Sequence, residues 1–278
     1  MKENPTKGFV TVATKRKQFL MGADNLKESL LDHCPDAKIT LFTEQHFIDD
    51  PSCQRYFRDF DKVLPTPSNT NREKMWGMAN SPYDLTFYMD ADIEIVHDDV
   101  ANIFDHLEDG EYDMAYVNLT KEGAKHFAEW EWGPNLYDDG WKGIPDHLAH
   151  CGGIALYDMR NPLIKEFMMD WYDLFLKQRD GRWNPEAFDY IKKGNFRQWD
   201  QLTLWWLIYH SPKYESLKWK FFKDNYRWNY FTSFGFNKDG THNCHKFDPT
   251  RDYWKTDPEP IIIHYSSWMD KYGDKGIL

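Results

Sequence analysis

Two carboxylates one residue apart, Asp90 and Asp92, close the apolar run Leu85 to Met89 within YDLTFYMDADIEIV, residues 83–96. A β-branched and aromatic run this short predicts a buried strand. Such a strand would deliver both side chains to the carboxyl edge of a sheet, where open α/β sheets bind ligands. Paired hard oxygen donors suit a divalent cation that keeps positions open for phosphate oxygens. The pattern therefore points to a cation held against a diphosphate. Without its strand, an Asp-x-Asp is equally a surface turn closed by side-chain bonds to the backbone. The apolar run before it favours the metal.

Further candidates lie downstream. Asp200-Gln201 opens an apolar helix running to Tyr209, which would aim both side chains back toward the sheet edge. There Asp200 would bind ligand hydroxyls or act as general base, unless it is an ordinary helix N-cap. Gly152 and Gly153 would let a sugar approach the backbone closely, or merely start a strand tightly. The segment Thr120 to His150 is long, irregular and rich in Trp, Gly, Pro and acid. It reads as an acceptor platform carrying Trp130, Glu131, Trp132, Asp138, Asp139 and Trp141, or as a lid with buried Trp.

Alternating elements must hold these groups in place. Gly8–Thr14 (GFVTVAT) predicts a first buried strand, Phe19–Cys34 a helix stopped by Pro35, and Lys38–Thr43 (KITLFT) a second strand. Strand–helix–strand implies a right-handed crossover and a parallel sheet. Phe47–Phe60 reads as irregular or helical, and Arg72–Asn80 as a helix leading into the strand before Asp90. Asp98-Asp99 open a helix with Val100, Ile103, Phe104 and Leu107 on one face, the acids suiting its dipole. Strands follow over Asp113–Asn118 and Gly153–Tyr157. Asn161-Pro162 caps a helix through Phe175. Lys218–Tyr230 is aromatic and basic, and Ile261–Ile263 is a short buried strand running into His264. Neither a repeat nor a linker is evident, so the expectation is a single domain over 1–278.

Composition narrows the function. The formal net charge of -11 argues against a nucleic-acid partner, which needs basic surface. Hydrophobic residues make up 41 % of the 278-residue chain, enough for a core. Mean hydropathy is -0.77, and no apolar stretch is long enough to span a bilayer. The polar start, Met1 to Lys7, lacks a signal core, and a soluble, cytoplasmic protein is the simplest expectation. Cys34, Cys53, Cys151 and Cys244 show neither CxxC pairing nor zinc spacing, so free thiols in a reducing compartment are expected. The 13 Trp, 16 Tyr and 19 Phe are mostly core, but flat amphipathic rings also suit sugars.

Taken in order, GFVTVATKRK, NREKMWGM, DADIEI, HCGGIALYDM, WDQLTLWW and IIIHYSSWMDK resemble a nucleotide-sugar glycosyltransferase of the GT-A fold, closest to glycogenin- and galactosyltransferase-like (family 8) members. The resemblance implies a Rossmann-like mixed α/β sheet with helices on both faces, with a nucleotide-binding part (1–118) and an acceptor-binding part (119–278). It implies metal-dependent transfer of a sugar from a nucleotide-sugar donor, a UDP-sugar foremost, to a glycan or other hydroxyl acceptor. By that resemblance Val12, Ala13 and Thr14 line the base and ribose, and Arg72 and Lys74 lie near the diphosphate. Asp90, Asp92 and His264 hold Mn²⁺ (or Mg²⁺), and Lys271 stands near a late phosphate-binding lysine. Cys151-Gly152-Gly153 replaces the family's more usual Asn or Ser-Gly. Ser267 and Lys271-Tyr272 replace its Gly and Lys-Pro-Trp, so retaining and inverting chemistry both stay open. Two rival functions remain. A haloacid-dehalogenase-like phosphatase also starts from a strand and DxD, but usually earlier in the chain and with Thr or Val where Glu94 stands. A non-catalytic sugar-binding module on the same fold would look similar.

Overall fold

In the computed structural model, residues 4–70, 72–118, 150–183, 200–223, 227–233 and 259–266 are described. The alternation of apolar side chains along each central strand fixes the architecture. Strand β1 (Lys7–Ala13) sends Phe9 to one side and Val10 to the other, and β4 (Leu85–Met89) likewise sends Phe87 and Met89 one way and Tyr88 the other. All are buried, so both faces of the sheet must be covered.

Helix α1 (Lys17–His33) covers the first face with Leu26 and Leu30, which pack with Phe9, Phe87 and Ile39. Each fully buried leucine of this kind contributes about 2 kcal/mol relative to exposure. The opposite face is covered by α3 (Lys74–Ala79), which follows the short α2 (Gln45–Asp49), and by two later helices. These come after α4 (Asp105–Glu108) and are α5 (Pro162–Arg179) and α6 (Asp200–His210). Asn161 caps α5 by accepting from the Leu163 N–H at 3.0 Å, and Pro162 follows at its first turn, as expected. Fully buried Trp171 and Phe167 anchor α5 beneath Tyr88 and Tyr157.

The main sheet has seven strands in the order β3-β2-β1-β4-β7-β6-β8. Its remaining members are β2 (Ile39–Thr43), β3 (Lys62–Pro65), β6 (Met114–Asn118), β7 (His150–Asp158) and β8 (Trp219–Phe221). Strands β3, β2, β1 and β4 run parallel, whereas β7 is antiparallel to both β4 and β6. A second sheet, ordered β5-β10-β9, comprises β5 (Ile93–Ile95), β9 (Tyr230–Ser233) and β10 (Ile262–Ser266). This is the expected mixed α/β sheet with helices on both faces.

Three sequence readings shift in detail. Strand β3 appears between Phe60 and Arg72, where no element was expected. The helix expected from Asp98 divides into a 3-10 turn, Asp98–Asn102, and α4. Its apolar periodicity survives, because Val100, Ile103, Phe104 and Leu107 are all buried together, but bonds such as His106 N–H to Ile103 O span three residues. His264 lies within β10 rather than beyond its end.

Candidate functional site

The chain leaves the main sheet where β4 ends. Asp90 still bonds to β7, its N–H donating to Gly153 O at 2.8 Å. Three residues after Asp90 the chain enters β5, which pairs antiparallel with β10 so that Ile93 lies opposite His264. This crossing between sheets is why residues far apart in sequence meet. Asp90, Asp92 and His264 each present a ligand atom within 4.8 Å of the others. His264 Nε2 is 3.2 Å from Asp92 Oδ1. Asp90 Oδ1 accepts from the Tyr88 hydroxyl at 2.5 Å. Behind the imidazole, Nδ1 is 2.9 Å from Asn229 Oδ1.

Burial works against a charged His264, but Asp92, with Cys151 behind it, outweighs burial and pushes its pKa up to about 10. A cation entering here therefore takes the place of the Nε2 proton. The donor set fits Mn²⁺ or Mg²⁺: two hard carboxylates and one borderline imidazole nitrogen. The floor of the site is bare for a steric reason. A Cβ on Gly153 would fall 2.5 Å from Asp90 Oδ2 and 3.0 Å from His264 Cε1.

A second charged cluster adjoins the first. Asp200, at the start of α6, is 3 % exposed, and its Oδ2 lies 2.7 Å from Lys74 Nζ. Arg72 approaches Asp200 Oδ1 at 3.4 Å, and the same Lys74 nitrogen is 3.6 Å from Asp90 Oδ2. Burial would raise the Asp200 pKa, yet Arg72 and then Lys74 overcome it and lower the pKa to about 2. Burial would likewise discharge Lys74, but Asp200 and then Asp90 hold it charged, with its pKa raised. A carboxylate oxygen has two lone pairs, so Asp200 Oδ2, 2.7 Å from Lys74 Nζ, can take a further donor. A Cβ on Gly152 would fall 2.9 Å from that oxygen. The main-chain carbonyl of Asp200 accepts from Trp171 Nε1 and from the Thr203 hydroxyl, both at 2.8 Å, which fixes the start of α6.

Solved glycosyltransferase structures share this architecture. The glycosyltransferase GlyE of Streptococcus pneumoniae TIGR4 superposes with a TM-score of 0.52 at 16 % identity, covering 95 % of this chain and 55 % of its own. The bifunctional glycosyltransferase WbbM superposes with a TM-score of 0.51 at 12 % identity, covering 96 % of this chain and 46 % of its own. The fold is GT-A. The chain spans about half the length of these two structures. No protein-family model matches the sequence, and no curated protein is similar enough in sequence to count as a relative.

In this GT-A fold, six of the residues singled out from the sequence come together: Asp90, Asp92, His264, Arg72, Lys74 and Asp200. Gln201 follows Asp200 in the first turn of α6 and is partly exposed. Val12 and Ala13 end β1. Val12 packs toward α3, where its Cγ2 would lie 2.7 Å from a Cβ on Gly77, and Ala13 is buried. The Thr14 hydroxyl donates to Thr70 O at 2.7 Å and ties the chain just past β1 to Thr70. Lys271 and the platform residues Trp130, Glu131, Trp132, Asp138, Asp139 and Trp141 lie outside the described residues.

Sequence reasoning missed Glu73 and Asn229. Glu73 is fully buried, and its Oε1 accepts from Ser68, from Thr70 at 3.1 Å and from Tyr172 at 2.8 Å. It thereby pins the turn that carries Arg72. A charged residue inside a predicted helix start, between two cations, was the available signal. Asn229 belongs to no motif and is recognised only through its contact with His264. Among the described residues no helix is long and apolar enough to cross a membrane.

Proposed function

We propose that this chain is a metal-dependent glycosyltransferase that moves a sugar from a nucleotide-sugar donor, a UDP-sugar, to a hydroxyl of a glycan acceptor. One observation carries this reading: the Asp90–Asp92–His264 cluster stands at the edge of β4, directly beside a buried Asp200 neutralised by Lys74 and Arg72. Mn²⁺ or Mg²⁺, when bound, supplies Lewis-acid stabilisation of the leaving diphosphate.

The protein's own groups do the rest. Asp90 and Asp92 present carboxylate oxygens, and His264 presents Nε2, to the cation. Lys74, between the two clusters, and Arg72 add positive charge where negative charge develops on the leaving group. Asp200 keeps its charge at neutral pH, and its Oδ2 accepts from a donor-sugar hydroxyl close to Gly152. The end of β1 (Val12, Ala13 and Thr14) borders the base and ribose, and Lys271 adds a phosphate contact. The 1–118 part binds nucleotide and the 119–278 part binds acceptor.

Isothermal calorimetry with UDP and UDP-sugars, with and without Mn²⁺, tests the reading. Metal-dependent nucleotide binding that disappears in Asp92→Ala is the expected result. Release of phosphate from small phosphoesters, or binding of free sugar without nucleotide, would overturn it.

A further inference from the structure

We propose that Asn229 is a positioning residue for the metal site, setting which nitrogen of His264 ligates the cation; the proposal rests on the metal-dependent reading above. An imidazole ligates through Nε2 only if its other nitrogen carries the proton. His264 Nδ1 faces Asn229 Oδ1 at 2.9 Å, and a carbonyl oxygen can only accept. The Nδ1 proton is therefore retained when a cation displaces the proton that Nε2 directs at Asp92, 3.2 Å away, and Nε2 becomes the ligating nitrogen.

The amide must itself be held the right way round. Asn229 Nδ2 lies 3.7 Å from Cys151 Sγ, a weak acceptor. Turned end for end, the amide would aim N–H groups at Nδ1 and move the imidazole proton to Nε2, where the cation belongs. The arrangement has little slack: Asn229 is 3 % exposed, Cys151 4 % and His264 6 %. Its backbone supports are equally fixed. Asn229 directly precedes β9, which pairs with β10 so that Phe231 lies opposite His264, and Cys151 lies on β7 beside Gly152 and Gly153. The line Cys151–Asn229–His264 thus crosses from the main sheet to the small one at the point where the ligands converge.

The test is Mn²⁺ binding to the full chain in the presence of UDP, followed by electron paramagnetic resonance. Pulsed measurement of the coupling between Mn²⁺ and ¹⁵N-labelled histidine serves as a second readout. Asn229→Ala removes the acceptor and is expected to weaken Mn²⁺ binding about 10- to 100-fold, with a diminished nitrogen coupling. Asn229→Asp keeps an acceptor oxygen and is expected to retain the coupling and an affinity within a few-fold of the parent protein. Cys151→Ala is expected to lose only a few-fold. Wild-type affinity and coupling in Asn229→Ala would overturn the proposal. So would Asn229→Asp losing as much as Asn229→Ala, which would mark a role in packing rather than in proton placement. Asp92→Ala, run alongside, separates the two levels. If it binds Mn²⁺ like the parent protein, the metal site itself is wrong and the relay falls with it.

Discussion

Two neighbouring carboxylate clusters in this molecule are built on opposite plans. Asp200 is buried against Lys74 and Arg72, so its charge is balanced by the protein. Asp90 and Asp92 are only partly buried; they share a histidine, and Asp90 alone is within the farther reach of Lys74. The first cluster is completed by folding, whereas the second has a surplus of negative charge that a cation would balance. Each rests on its own glycine, Gly152 for Asp200 and Gly153 for Asp90. The pairing teaches that stability and ligand binding are divided between adjacent groups, with Lys74 as the link.

The most forceful way to break this contrast is Lys74→Met. It strands Asp200 in the interior with Arg72 as its remaining cation, and urea unfolding should show a loss of about 3–5 kcal/mol. Adding Asp200→Leu to that variant should recover much of the loss, because a buried pair removed whole is far less costly than one broken. Asp92→Ala should behave in the reverse manner. Metal-dependent UDP binding should fall more than about 100-fold by calorimetry, since even outer partners of a ligand are worth 10- to 100-fold. Its metal-free stability should fall less than in Lys74→Met, because Asp92 is only partly buried and His264 can lose its proton once Asp92 is gone.

The two glycines sharpen the contrast further. Gly153→Ala should displace Asp90 Oδ2 and weaken Mn²⁺ binding, whereas Gly152→Ala should disturb Asp200 and cost about 1–3 kcal/mol of stability by overpacking. Equal effects of both variants on both readouts would merge the clusters into one. The smallest effect is that of pH. The folded pKa of Asp200 is lowered from 3.8 to about 2, so its stabilisation is fully present above the unfolded value and is lost as pH falls through the folded one. Between about pH 4 and pH 2 the Asp200 contribution, on the order of 2 kcal/mol, should vanish. Asp200→Asn should flatten that part of the urea-stability profile.

Much of this arrangement was legible before the fold was known, and for physical reasons. Strands β1, β2, β4 and β7 are fully covered and so read as short apolar runs, and α5 announces itself through Asn161-Pro162. Asp90 and Asp92 were legible because an apolar strand must end where they stand. His264 came from resemblance alone, since a histidine after three isoleucines carries no signal of its own. Strand β3 was hidden because KVLP, with its pattern of exposed ends, is an edge strand without an apolar run. Strands β8 and β9 were hidden in aromatic sequence without alternation. The Lys74–Asp200 pair and the Asn229 contact join distant segments, and no local pattern encodes such a meeting.

The account turns on whether a cation joins the three groups that the two sheets bring together. Diffraction from crystals grown with Mn²⁺ and UDP, recorded near the manganese absorption edge, tests this most directly. The expected result is one anomalous peak within bonding distance of Asp90, Asp92 and His264 Nε2, with the UDP diphosphate completing its coordination. An ion bound elsewhere, or UDP bound with no ion between it and the Asp90–Asp92 pair, would contradict the account.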